Sequence, residues 1–177
     1  LFTIGLWELN EDGTFKYDSN GNLIPTYTNE NIAEFAKVFT GLDRPNKFVY
    51  YNSSVYPNYE EYQNQNYQED MKFEPWAHDY DSKYDLDGNT FTYPSYGEQD
   101  MRNDIGYVLD HLFNHDNTPP FISRFLIQRF TASNPSPTYI YDVAQVFKSG
   151  TFNAGSHSFG DGSRGNLEAV IAAILLH

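Results

Sequence analysis

Six side chains that can ligate a cation fall within twelve residues: His78, Asp79, Asp81, Asp85, Asp87 and Asn89. Calcium takes six to eight oxygens from flexible loops, and Asp85-Leu86-Asp87-Gly88-Asn89 offers alternating carboxylates around a turn glycine. No Glu follows at the bidentate position, so the run is not an EF-hand. Asx residues with Gly also form ordinary turns without metal. That plainer reading fits Asp18-Ser19-Asn20-Gly21-Asn22 best, and both readings stay open for Asp79 to Asn89.

Other residues suggest chemistry less strongly. His111 and His115 stand four apart, a zinc spacing, but Leu112, Phe113 and Asn114 lie between them and no general-base Glu does. His115 near a helix C-terminus instead suits bonding to the last carbonyls. His157, flanked by Ser156 and Ser158, could form a triad with Asp161, yet no G-x-S-x-G elbow supports it. Glu74, Asp79 and Trp76 could line a sugar-cleaving groove, a reaction that needs two facing carboxylates. Arg124 and Arg129 sit in an apolar helix and are expected to pair with internal acids such as Asp104 or Asp110.

Aromatics and charge concentrate in one region. Ten of the fifteen tyrosines lie between Tyr50 and Tyr96, interleaved with Asn, Gln and Asp. From Glu60 to Asp104, twelve acidic residues face three basic ones, which places most of the net −13 there. Such a stretch is either a long ordered surface loop or a binding surface, in which Tyr59, Tyr62, Tyr67 and Trp76 are the candidate contacts for a protein or a carbohydrate. Asn52-Ser53-Ser54 fits the glycosylation sequon.

The acidic balance disfavours nucleic acid, whose phosphates need clustered cations. The longest apolar stretch, AVIAAILL, is too short to span a membrane. Without cysteine there is neither disulfide stapling nor thiol catalysis.

The elements that must hold these residues are mostly helices. Thr28 or Asn29 can cap a helix that carries Ile32, Phe35, Ala36 and Phe39 and ends at Gly41. A second is expected over about 100–114 with Ile105, Val108, Leu109, Leu112 and Phe113 inward. A third opens on Pro119–Pro120 and buries Phe121, Ile122, Phe125, Leu126 and Phe130. A fourth opens on Ser136-Pro137, and a fifth runs from about Asn166 with Leu167, Val170, Ile171, Ile174 and Leu175 inward. Asn20-Gly21 marks a β-hairpin near 15–27. The stretch SGTFNAGSHSFGDGSRG reads as an irregular Gly/Ser loop. The expected fold is mainly α: about five amphipathic helices around one core in a single domain, 1–177, with an irregular Tyr/Asp/Asn-rich insertion at about 44–99.

LFTIGLWELNEDGT followed by IPTYTNENIAEFAKVFTG resembles the secreted bacterial family called domain of unknown function 1800. So do the His78-Asp79 pair after Trp76, the stretch LDHLFNHDNTPPFISRFLIQRF, and the closing RGNLEAVIAAILLH. The family tends to a Lys-Thr-Phe-Leu-Gly-like segment after the His-Asp. This chain keeps Lys83 without the Leu-Gly closure, and has His115-Asp116 where His-Pro is common. The resemblance implies a helical fold, export, a C-terminal part of a longer chain, and frequent co-occurrence with a phosphatase-like secreted protein. It implies no chemistry.

Two functions follow as expectations. The first is a secreted or cell-surface structural or interaction protein, a subunit of a surface assembly or filament, with calcium in the acidic insertion. Self-assembly, other extracellular proteins and carbohydrate are the expected partners. The second is a secreted hydrolase or metal-dependent enzyme with its site near His78 and Asp79.

Overall fold

A computed structural model of the chain describes residues 4–45, the backbone of 48–49 and 63–64, and residues 69–177. The protein is mainly helical. Five α-helices are described: α1 (Asn29–Val38), α2 (Glu98–Asn114), α3 (Thr118–Phe130), α4 (Pro137–Ser149) and α5 (Leu167–Leu176). Short antiparallel pairs complete it: β1 (Leu42–Asp43) with β4 (Lys72–Phe73), β2 (Phe48–Val49) with β3 (Gln63–Asn64), β5 (Lys83–Tyr84) with β6 (Thr90–Phe91), and β7 (Phe152–Ala154) with β8 (His157–Phe159).

The contacts fall into two units, Leu1–Thr28 with Leu109–His177, and Asn29–Val108; the division lies within α2. In the first unit α3, α4 and α5 pack around Ile127, Ile140, Val143, Phe147, Val170, Ala173 and Ile174. The helix ends are set by local chemistry. Ser136 caps α4 by accepting from Tyr139 N–H at 3.2 Å, and Asn166 caps α5 by accepting from Ala169 N–H at 3.0 Å. Gly150 ends α4 in the left-handed region, φ 69°, with the Ser163 backbone where a Cβ would lie.

The expected hairpin near 15–27 is present as isolated antiparallel bridges, Tyr17 to Leu23 and Leu9 to Phe15, joined by Trp7 to Pro25. Asp18 makes its turn, its Oδ1 accepting from the Asn20 and Asn22 N–H groups at 2.8 Å. The Gly/Ser stretch is not irregular but holds the β7–β8 hairpin. Phe152 and Phe159, directly paired, stack at 6.4 Å across it.

Several side chains expected inward are exposed: Ile32, Phe39, Leu109, Phe113, Phe125, Phe130, Leu167 and Leu175. On α1, α2, α3 and α5 the apolar stripe is wider than the face that the described residues cover, whereas Val143, Ala144 and Phe147 on α4 are buried. Phe113 still packs partly, with its ring 6.0 Å from that of Phe147.

In the second unit, α1 leads into β1 through Gly41, φ 76°. A Cβ there would stand 2.8 Å from Glu74 O and 3.1 Å from His78 N, so only glycine lets the chain pass this close. That close approach fixes the segment that carries His78 against the end of α1.

Candidate functional site

The residues that looked most reactive in the sequence converge in the second unit, and they are buried. His78 follows the 3-10 turn Pro75–Ala77, and its side chain has no exposed surface. Nδ1 lies 2.9 Å from the carbonyl oxygen of Thr40, an atom that only accepts, so Nδ1 carries a proton. Nε2 lies 3.0 Å from Asp104 Oδ2 on α2, and that contact holds a proton between them. Neither ring nitrogen is open to a metal ion or a substrate in this arrangement.

Lys83 completes the network from β5, with its side chain 1% exposed. Its ammonium donates to Asp104 Oδ2 at 2.8 Å, to Asp79 O at 2.6 Å and to Asp81 O at 3.0 Å. These three bonds use all its donors. The inward-facing oxygens of the 79–81 turn therefore surround an ammonium that the chain itself supplies. Thr40 ties the same turn to α1, its Oγ1 accepting from Asp79 N–H at 2.8 Å and donating to Lys37 O at 2.5 Å.

Tyr80 packs edge-on to His78 at 4.8 Å between ring centroids. Desolvation, helped by the charges of Asp100 and Asp104, pushes its phenol above the ordinary value. Among the described residues, Asp104 Oδ1 and Tyr80 Oη are buried without a hydrogen-bond partner.

Asp85 is also buried, and its carboxylate closes the turn. Oδ1 accepts from Asp87 N–H at 2.9 Å and Asn89 N–H at 2.8 Å; Oδ2 accepts from the Asn89 amide at 3.0 Å and the Tyr107 hydroxyl at 2.8 Å. The bond to Asp85 raises the Tyr107 phenol. Asp81, Asp87 and Asn89 are exposed and Asp79 is half-buried. Of the six candidate ligands, two are interior structural groups and four sit at the rim.

Trp76 presents the opposite situation. It is 83% exposed, yet its indole N–H is fixed, donating to Glu74 Oε2 at 2.7 Å. Glu74 also pairs with Lys72, and Lys72 and then Trp76 hold its carboxyl below the ordinary value. Nearby, the Arg102 guanidinium lies 4.2 Å from the Phe73 ring centre. Tyr59, Tyr62, Tyr67 and Asn52 lie outside the described residues.

The remaining candidates take structural positions. His115 Nδ1 accepts from Asn117 N–H at 3.0 Å, so the ring bridges the turn from α2 to α3. His157 lies on the exposed β8, while Asp161 accepts from Ser163 N–H and the Asn166 amide. The Asp104 charge is taken by Lys83 and His78 rather than by an arginine. Arg129 lies over the Phe125 ring at 5.1 Å.

One residue the sequence did not flag organises the first unit. Asn117, buried, accepts from Leu9 N–H at 2.8 Å and donates to Ile4 O at 2.9 Å, Trp7 O at 2.8 Å and Thr26 Oγ1 at 3.3 Å. Within the stretch DNTPP it reads as a helix breaker, and nothing local to it announces these bonds.

Fold and site together define a mainly helical protein whose most reactive side chains are locked inside as a His–Lys–Asp network. The family model for protein of unknown function (DUF1800) matches residues 1–177, and the chain belongs to that family. Comparison with curated proteins and with solved structures returns no match. No helix among the described residues is long and apolar enough to cross a membrane.

Proposed function

We propose that this chain is an extracellular structural or interaction module, with a docking face centred on Trp76 and the His78–Lys83–Asp104 network as its scaffold. The observation that carries this is the state of Trp76. A large aromatic ring stands almost fully in water while its polar handle is already satisfied by Glu74. Burying that ring against a partner gains apolar contact without stranding a donor, which is how aromatic anchors work at interfaces. The partner is another copy of the chain or a second extracellular protein.

A catalytic base or metal ligand needs an open nitrogen or oxygen, and His78 and Lys83 have spent theirs. Calcium enters this proposal as a counter-ion. Repulsion from a net charge of −13 opposes self-association unless cations screen it, and the exposed carboxylates of Asp81 and Asp87 are available to them.

Sedimentation of the protein as isolated, with and without a calcium chelator, tests the proposal. Regular assemblies that shrink on chelation are expected. A monomer under both conditions would remove the self-assembly form of it.

A further inference from the structure

The first unit contains a groove that nothing above uses. Asp12, Gly13, Phe15, Tyr17, Arg124, Asn134 and the start of α4 line it, and it measures about 620 Å³, within the range of small-molecule sites. Arg124 is the unusual member. Acidic residues outnumber basic ones 24 to 11, so a cation here has acids to spare. Lys16, Lys37, Lys72, Lys83, Arg102 and Lys148 all pair with one. Arg129 and Arg164 lie over aromatic rings. Among the described residues Arg44 and Arg124 have neither kind of partner; Arg44 is exposed, whereas Arg124 is half-buried in the groove.

We infer that this groove binds a carboxylated sugar, a uronic-acid unit of a polysaccharide. A free guanidinium takes a carboxylate through two parallel hydrogen bonds. Phe15 and Tyr17, 41% and 60% exposed, supply apolar faces for a pyranose ring. Asn134 brings an amide that makes no hydrogen bond among the described residues, suited to hydroxyl groups. Asp12 chooses between ligand classes. Its Oδ1 already accepts from Thr14, and its Oδ2 can accept from a sugar hydroxyl, a bond that the carboxylates of an acidic peptide cannot donate. The site is independent of the Trp76 face.

Calorimetric titration with trigalacturonate, galactotriose and hexaglutamate, without divalent cations, tests the assignment. Trigalacturonate should bind saturably, and galactotriose about tenfold more weakly, the loss of one charge-assisted contact. Arg124→Gln and Tyr17→Ala should each weaken trigalacturonate about tenfold at unchanged melting temperature, since neither side chain makes a hydrogen bond or ion pair among the described residues. Three results would overturn it: no saturable binding, binding that neither variant weakens, or hexaglutamate binding as tightly as trigalacturonate, which would make the groove an acidic-peptide site.

Discussion

Asp104→Asn should be among the most destabilising single changes in this protein, lowering the unfolding free energy by about 3–5 kcal/mol. The substitution keeps the shape and removes the charge. Lys83 Nζ, 1% exposed, would still reach Asp79 O and Asp81 O, but its counter-charge would be gone. A buried cation without its carboxylate has no compensation for lost hydration. The His78 Nε2 contact would change as well, and His78 secures the turn to α1 through Thr40. Urea unfolding should show a lower midpoint at unchanged slope. The double variant Lys83→Met with Asp104→Leu should recover a substantial part, because an apolar pair of similar volume often replaces a buried ion pair without loss. A loss under about 1 kcal/mol for Asp104→Asn would mean the network is not a scaffold.

Asn117→Ala should cost about 2–4 kcal/mol, since it strands buried backbone groups that water cannot reach. One side chain satisfies Leu9 N–H, Ile4 O and Trp7 O, and so holds the N-terminal segment. The effect should be local as well as global. The Leu9 amide should exchange with solvent far faster in the variant, a change that residue-resolved hydrogen exchange reads directly. An unchanged melting temperature with a slow Leu9 amide would contradict this account of the segment.

The helices were legible because their signals are local. Ser136 and Asn166 lie at caps, Pro119–Pro120 open α3, and Gly41 and Gly150 stand just past helix ends, all within a few residues of what they specify. The β7–β8 hairpin was hidden because Gly and Ser dominate it; its signal is the pair Phe152 and Phe159 placed symmetrically about the Gly155–Ser156 turn. The interior polar groups were illegible for a different reason. His78 and Asp104 are 26 residues apart, and Asn117 bonds to Leu9 and Ile4 across 108 and 113 residues. Hydrophobic periodicity reports which face is apolar and says nothing about which polar residue is buried with a partner. A lysine as deep as Lys83 runs against the usual placement of its type. The sequence placed His78, Asp79 and Asp85 close together, and only their depth and saturation in the fold separate a scaffold from an open site.

In its self-assembly form, the proposal is that Trp76 docks a second copy of the chain while the His78 network only supports it. Sedimentation velocity of wild type and Trp76→Ala, side by side in calcium, tests this most directly. The account predicts that the variant sediments as a smaller species with its melting temperature unchanged, because an 83% exposed ring contributes little to the fold. Identical sedimentation of the two proteins would contradict it.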